Sequence, residues 1–495
     1  MVIARPKFPH FSWIFVAAAV AAVLFGGLLG LGFYILLIPL VALIFGAAMI
    51  AFPNVALWTV IVGALGVIGL LEIFAPQFRQ LGWGIAALSM AVAGVALIQR
   101  ISQAKQQSLN QEGTGLLMWF ATFAFIGFAS CVANKGFSAA TISSLKNYFQ
   151  AVGVLFAIVW FDYSGGDIRR FMKFLMWLTL VQLPFVFHQF FFLVPLRSTV
   201  DYAERGIVAI DIVSGTFGGL MSGGGRSIDL AILCLVGATY AAAAWRVGAI
   251  SGTRALMVVV AALIPIAVAE VKIVFFLIPV AVYILMRDLA EKHPARFILG
   301  IAASFVLLIA IAVGYLLLPG AESQKPKSFS AYLDDTINYN VGDKGYGNAK
   351  LNRSTVYSFW FKENIVNFNG IHALVGYGPG ATFTNSSVVD KSVAREKYKA
   401  IGIGLTGLSS VLWEFGLLGG IALLGIFFSA YALSGKLLRK VIGGEDFPAV
   451  ITARVGVVAC GISLFHSSYF VFDLAHQVML MMFLGVIIAL SRKYK

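Results

Sequence analysis

The most constraining feature of this 495-residue sequence is a series of about fourteen apolar segments, most of them near twenty residues long. Segments of this length can cross a bilayer as α-helices, in which all backbone polar groups are paired. The composition agrees, because 60% of the residues are hydrophobic and only 12% are charged. It excludes a soluble enzyme, a disordered chain and a disulfide-rich secreted domain. We therefore predict an all-α, polytopic membrane protein with segments at about 12–30, 33–52, 55–75, 82–99, 115–132, 149–162, 174–195, 227–245, 255–268, 272–286, 297–317, 405–432, 448–464 and 474–491.

The net charge of +14 is explained by membrane topology. About half of the 36 Lys and Arg residues fall in short loops on one side of the predicted membrane, as in 169–173 and 436–440. Short loops rich in Lys and Arg stay in the cytoplasm. The sequence therefore predicts cytoplasmic termini, and a nucleic-acid partner is not needed to account for the charge.

The apolar stretch 255–286 is too long for one helix and has Glu270 and Lys272 at its middle. We predict two short helices that turn at these charges. Ionisable residues inside a membrane segment are also candidates for function, so this pair is the main feature in favour of a transporter.

The predicted segments divide the chain into three parts: about eleven helices in 1–317, a large outer loop in 318–404, and about three helices in 405–495. A loop of this length is functional or a subdomain of its own. Residues 353–368 predict an amphipathic helix rich in Phe, Trp and Tyr, which lies either along the membrane interface or against other loops. The sequence 376-GYGPG-380 predicts a tight turn in which the backbone N–H groups near Gly378 and Gly380 could face an anion.

The spacing of histidines, cysteines and acids predicts neither a metal site nor a cofactor. Arginines in the outer loops suggest a different chemistry. Each alone is typical of a solvated charge or a lipid headgroup contact, but together their planar guanidinium groups match a phosphate or pyrophosphate. The candidate pyrophosphate ligands are Arg197, Arg205, Arg226, Arg353 and Arg395.

Four short motifs occur in a fixed order around the large loop: 214-SGTFGG-219, the segment from Arg353 to Trp360, 376-GYGPG-380 and 412-LWEFGLLGG-420. Over about 205–420, the chain resembles the bacterial O-antigen ligase and Wzy-type polysaccharide polymerase superfamily. The resemblance implies a metal-independent, inverting glycosyltransferase at the periplasmic face of the bacterial inner membrane. Its expected donor is a glycan on a polyprenyl pyrophosphate, with arginines holding the leaving group.

Two reactions are compatible with this resemblance. A polymerase passes the chain to another lipid-linked repeat unit of an O-antigen, capsule or exopolysaccharide, and a ligase passes it to a lipid A core. Many ligases have His-Asn about nine residues before the glutamate of the fourth motif, whereas 403-IGLTGLSS-410 contains no histidine. This departure favours a polymerase, with membrane lipids, a flippase and a chain-length regulator as further expected partners; a transporter or lipid-glycan flippase is the alternative of another class.

The missing histidine leaves the general base to be identified. Glu414, inside the helix after the loop, and His372, four residues before the Gly-Pro-Gly turn, are the candidate catalytic residues. For Glu414 the alternative is a structural role, either paired with a loop arginine or capping the helix.

Overall fold

The computed structural model describes residues 51–103, 112–134, 136, 138–161, 163–199, 208–221, 225–317, 330, 334, 337, 351–367, 370–383, 392–398 and 401–494. The chain divides into two compact units, Met1–Ala56 and Leu57–Lys495. Only 51–56 of the first unit is described, so the features below belong to the second. The predicted segment 12–30 and nearly all of 33–52 lie outside the described residues.

Regular structure in the described residues is helical, apart from one isolated bridge between Gly219 and Gly225. The helices are α1 Pro53–Phe74, α2 Pro76–Ser102, α3 Thr114–Asn134, α4 Ala139–Phe149, α5 Val152–Trp160, α6 Gly165–Arg197, α7 Ser227–Arg246, α8 Gly252–Val268, α9 Val274–Met286, α10 Pro294–Leu317, α11 Thr355–Phe361, α12 Ile371–Val375, α13 Val393–Glu396, α14 Gly407–Val441, α15 Phe447–Ser463, α16 Tyr469–Phe472 and α17 Leu474–Lys493. A further single α-helical turn covers Leu289–Lys292, between α9 and α10.

Eight helices of the described chain are long and apolar enough to cross a membrane, or nine if α4 and α5, bent by 46°, form one crossing. Three shorter apolar helices, α8, α9 and α15, accompany them. The all-helical, multi-pass prediction is confirmed at this level. The predicted count of fourteen is not confirmed.

The stretch 255–286 is broken as predicted. Helix α8 ends at Val268 and α9 begins at Val274. Between them Glu270 adopts a left-handed backbone conformation with φ of 49°, and its carboxylate lies 3.8 Å from the Lys272 ammonium. The two charges therefore belong to a turn between helices rather than to the middle of a span.

Helices α7 and α17 form the centre of the bundle. Their most apolar stretches are 83% and 89% buried, whereas that of α10 is only 11% buried. Helix α7 packs against α6, α8 and α15, and α17 packs against α5 and α15. A helix that is apolar all round is expected in such a central position.

The two ends of the bundle differ in chemistry. At the motif end, where α1 and α6 end and α7 and α14 begin, lie the described segments 208–221, 225–226, 351–367, 370–383 and 464–473. At the basic end, where α14 and α17 end, Asp446 accepts hydrogen bonds from Arg169, Lys493 and Tyr494, each at 2.7 Å. This carboxylate ties the start of α6 to the α14–α15 turn and to the end of α17.

Candidate functional site

The GYGPG turn is fixed directly onto α14. The amide of Tyr377 donates to the Trp413 carbonyl at 2.9 Å, and the amide of Gly378 donates to the Glu414 carbonyl at 3.1 Å. These carbonyls are accessible because α14 is interrupted at Gly416, whose φ is 67°. A Cβ atom at Gly376 would lie 2.3 Å from the Glu414 carbonyl carbon, so the close approach requires glycine.

The Glu414 side chain completes this attachment from inside the protein. It is fully buried. One carboxylate oxygen accepts from the Tyr148 hydroxyl at 2.7 Å, and the other accepts from the Thr382 amide at 3.1 Å and the Thr382 hydroxyl at 2.5 Å. The Gly380 amide is a further donor. The carboxylate is therefore the common acceptor for the turn, and its partners are not the loop arginine that sequence reasoning considered.

The Arg353 segment also packs against α14. Buried Asn352 begins its helix by accepting from the Thr355 amide at 2.8 Å. One turn later the Trp360 indole donates to the Leu412 carbonyl at 3.0 Å. The helix predicted for 353–368 is present from Thr355 to Val366, because a π-helical turn at Lys362–Val366 continues α11. Three of the four sequence motifs thus meet at the start of α14.

The remaining motif, SGTFGG, is held by two glutamines of α6. Gln189 accepts from the amides of Ser214 and Gly215 at 2.9 and 2.7 Å, and Gln182 accepts from the amide of Thr216 at 2.8 Å. All of these residues are buried. The SGTFGG segment is therefore a rigid, buried loop rather than a solvated connection.

A charged cluster, defined here as Arg197, Asp211, Lys272 and Arg353, lies at the motif end. Burial raises the pKa of Asp211, and the positive charges of Arg197, Lys272 and Arg353 act against that rise. A carboxylate that responds to three cations must lie near all of them. Arg197 and Arg353, two of the predicted pyrophosphate ligands, are therefore within electrostatic range of the same carboxylate, that of Asp211.

Next to this cluster lies the segment before α16. Arg353 Nε donates to the carbonyl of His466 at 2.6 Å. Burial, with the nearby Arg353 charge, lowers the pKa of His466 to about 3. This histidine is therefore neutral at physiological pH, so the segment adds no positive charge of its own to the cluster.

Arg226 belongs to a different network. Its guanidinium donates to both carboxylate oxygens of Glu72, at 2.8 and 3.0 Å, and also pairs with Asp473. Burial lowers the pKa of Arg226, but the Asp473 and Glu72 charges outweigh that effect and raise it. Arg226 joins α1, α7 and the start of α17, and it borders a cavity of about 310 Å³ that Arg79 and Trp83 also line.

These four motifs form two assemblies that the segment 464–473 connects. Its Ser467 carbonyl accepts from the Gly407 amide at 2.7 Å, and its Tyr469 hydroxyl donates to the carbonyl of Gly225, which is bridged to Gly219 of SGTFGG. No protein-family model and no curated protein matches this chain. The relationship to the ligase and polymerase superfamily is thus a resemblance of motifs, and their spatial convergence is a separate observation.

Of the other predicted site residues, Arg395 is exposed on α13, and Arg205 lies outside the described residues. The His372 ring stacks on Tyr377, with centroids 4.3 Å apart, and its Nδ1 lies 3.2 Å from the Gly376 carbonyl oxygen. His372 therefore contacts the turn directly at Gly376 and Tyr377.

Sequence reasoning missed Asp211 and the two glutamines of α6. Asp211 is a single acid in an outer loop, and its cationic neighbours come from other segments. The glutamines did give a signal, because Gln182 and Gln189 are polar residues seven apart on one face of an apolar helix. In the described part of the chain, no group of three or more His, Cys, Asp and Glu residues is arranged to hold a metal ion.

Proposed function

We propose that this protein is a glycosyltransferase of the bacterial inner membrane that polymerises polyprenyl-pyrophosphate-linked oligosaccharide repeat units at the periplasmic face. The observation that supports this most is the charged cluster, in which the charges of Arg197, Lys272 and Arg353 all act on the carboxylate of Asp211 at the motif end. Cations and a carboxylate in one place match a reaction that needs both an anion site and a proton acceptor.

In the proposed reaction, an acceptor hydroxyl attacks the anomeric carbon of the donor glycan. The new C–O bond forms as the bond to the pyrophosphate oxygen breaks, with inversion, and polyprenyl pyrophosphate leaves. The two arginines and the lysine stabilise the charge on the leaving group. The proton of the acceptor passes to a general base, for which Asp211 is a new candidate beside Glu414 and His372.

The setting of Glu414 favours a positioning role for this residue. Its carboxylate already accepts from Tyr148, Thr382 and Gly380 inside the protein. Glu414 would then act through the turn that it holds. His372 retains the role of a candidate base on the flank of that turn.

A ligase would use the same donor site and differ only in its acceptor, the lipid A core. A transporter or flippase is the alternative of another class, and its main support was the pair Glu270–Lys272. This pair lies in the turn between α8 and α9, and the Lys272 charge acts on Asp211 of the charged cluster. Membership of that cluster supports a role in the transferase site, whereas broken helices of transporters bind their substrates near the bilayer midplane.

Deletion of the gene, followed by glycan gel analysis, tests the function. A polymerase predicts that single repeat units accumulate on lipid, whereas a ligase predicts full-length chains that do not reach the core. Loss of a flippase would also leave single repeat units on lipid, but on the cytoplasmic side of the membrane, so the side on which the units accumulate distinguishes it from loss of a polymerase.

Complementation with Arg353 variants tests the site. Removal of one cation from a preorganised anion site costs about 10²–10³-fold in rate, so Arg353→Ala should give almost no polymer at a normal protein level. Arg353→Lys should restore part of it, because lysine keeps the charge without the planar fork. Arg395→Ala, at an exposed arginine of the same loop, is the matched control. Near-normal polymer with Arg353→Ala would refute the assignment.

A further inference from the structure

A second cavity lies at the basic end, opposite to the charged cluster. Its volume is about 620 Å³, and it lies between α9, α14 and α15. Five basic side chains line it against two acidic ones, Asp288 and Glu291. The basic residues are Arg287, Lys292, Lys436, Arg439 and Arg454.

Arg454 is the central residue of this cavity. It lies within the apolar helix α15 and is only 5% exposed. Its guanidinium carbon is 3.9 Å from the centre of the Tyr431 ring. A Cβ atom at Gly435 would lie 2.6 Å from Arg454 Nη1, so the glycine provides the space that the guanidinium occupies.

The charge of Arg454 has no protein counter-ion among the described residues. None of them places a carboxylate within 4.0 Å of it. The nearby Asp288 is paired with Arg246 instead. A buried charge without a partner is strongly unfavourable, and in a membrane helix it marks a functional site. The cavity is therefore suited to an anion.

An apolar groove continues from the same cavity. Tyr431 lines both, and the groove, about 600 Å³ in volume, extends between α14 and α15 past Leu424, Phe428 and Val458 to Phe465. Phe428 is 74% exposed, so the groove opens on the lateral surface of the helices. A ligand that fills both spaces has an anionic head and an apolar tail.

We propose that this cavity binds an anionic membrane phospholipid, with its phosphate on Arg454 and an acyl chain along the groove between α14 and α15. The guanidinium fork matches the phosphate oxygens. Lys436 and Arg439 attract the additional negative charge of an anionic headgroup, as basic pockets between helices do at the cytoplasmic side of membranes. The site is independent of the proposed transferase reaction.

Thermal unfolding of delipidated, purified protein in detergent tests this proposal. The probes are dioctanoyl phosphatidylglycerol, dioctanoyl phosphatidylcholine and inorganic phosphate at equal concentrations. We expect saturable stabilisation by phosphatidylglycerol and much weaker effects of the other two. Equal stabilisation by inorganic phosphate would show that the site binds any anion. Equal stabilisation by phosphatidylcholine would show that the negative charge of the headgroup is not recognised. Either result would overturn the proposal.

Variants locate the binding. Loss of a charge-assisted hydrogen bond weakens binding by about 10–100-fold, so Arg454→Met should weaken the apparent affinity for phosphatidylglycerol by that factor. Arg170→Met removes an exposed charge at the same end, outside the cavity, and should leave the affinity unchanged. Should Arg454→Met not fold, the double variant Lys436→Ala/Arg439→Ala tests the rim, with a smaller loss of affinity expected. Equal affinities of the cavity variants and the wild type would contradict the proposal.

The groove is tested separately by Val458→Trp, which places a large ring in it. The variant should weaken binding of dioctanoyl phosphatidylglycerol and leave the weak effect of inorganic phosphate unchanged. Native mass spectrometry provides a second readout, with one retained phosphatidylglycerol in the wild type and none in Arg454→Met. Retention by Arg454→Met would place the lipid elsewhere and refute the assignment.

Discussion

The structural role of Glu414 leads to a quantitative prediction. Its carboxylate accepts from the Tyr148 hydroxyl, from two groups of Thr382 and from the Gly380 amide, all at a fully buried position. Each buried donor left without an acceptor costs about 1–3 kcal/mol. Replacement by leucine leaves at least three donors unsatisfied, which amounts to about 3–9 kcal/mol and is comparable to the whole stability of a typical protein.

Glutamine at this position has a smaller effect. Its carbonyl oxygen can still accept from Thr382, and its amide group can donate to the Tyr148 oxygen. We expect Glu414→Gln to cost about 1–2 kcal/mol, because neutral acceptors replace a charged one. Glu396→Gln, at an exposed acid of the same loop, is the matched control and should cost almost nothing.

The cysteines provide the assay. Cys131, Cys234 and Cys460 are all buried, so a fluorescent maleimide reacts with them only when the bundle opens. The unfolding temperature should fall strongly for Glu414→Leu and slightly for Glu414→Gln. A Glu414→Leu variant with the wild-type unfolding temperature would refute the structural role.

The same variants distinguish a structural role from catalysis. A general base contributes about 10²–10⁴-fold to the rate, so a catalytic Glu414 predicts that loss for Glu414→Gln without a change in unfolding temperature. A positioning role predicts that activity and unfolding temperature fall together, and that Tyr148→Phe shows part of both effects. In either case Glu414→Gln should lower activity more than His372→Ala, because His372 is half-buried and only flanks the turn.

Three further predictions concern the fold. Gly376→Ala should abolish folded protein, since its Cβ would lie 2.3 Å from the Glu414 carbonyl carbon at a φ of 74°, whereas Gly402→Ala meets nothing within 4 Å and should express normally. Burial raises the pKa of Asp446, but hydrogen bonds from Lys493, Tyr494 and Arg169 outweigh it and keep the pKa below 3.8. The wild type should therefore be more stable than Asp446→Asn above pH 3.8, and this difference should disappear as the pH falls through the folded-state pKa. Unfolding temperatures of both proteins between pH 7 and 3 would show it. Cysteines introduced at Ser328 and Lys436 should react with an impermeant reagent from the periplasm and from the cytoplasm respectively, and the opposite labelling would overturn the assigned topology.

The features that could be predicted from the sequence depend on local patterns. The turn at Glu270–Lys272 follows from two charges inside an apolar stretch, and the attachment of GYGPG depends on glycines that the motif displays. Arg226 shows why other features could not be predicted. Its partner Glu72 lies 154 residues away, so only the packing of α1 against the SGTFGG segment shows that this arginine is already paired.

Asp211 is a second feature that could not be predicted from the sequence. In the sequence it is an ordinary loop acid, and its importance depends on Arg197, Lys272 and Arg353, which come from three other segments. The helix predicted for 353–368 is confirmed over Thr355–Val366, and its π-helical turn at Lys362–Val366 is a feature that the sequence pattern did not indicate. The pattern within one segment therefore predicted its helices and turns, whereas the candidate site depends on how several segments pack together.

The most direct test of the proposed polymerase is reconstitution of the purified protein in liposomes with a polyprenyl-pyrophosphate-linked repeat unit as donor and acceptor. We predict a ladder of lengthening lipid-linked chains, formed in the presence of EDTA and lost with Arg353→Ala but not with Arg395→Ala. The polymerase would be contradicted if folded wild-type protein formed no chains longer than the repeat unit. If it instead moved the lipid-linked glycan across the bilayer, the protein would be a flippase.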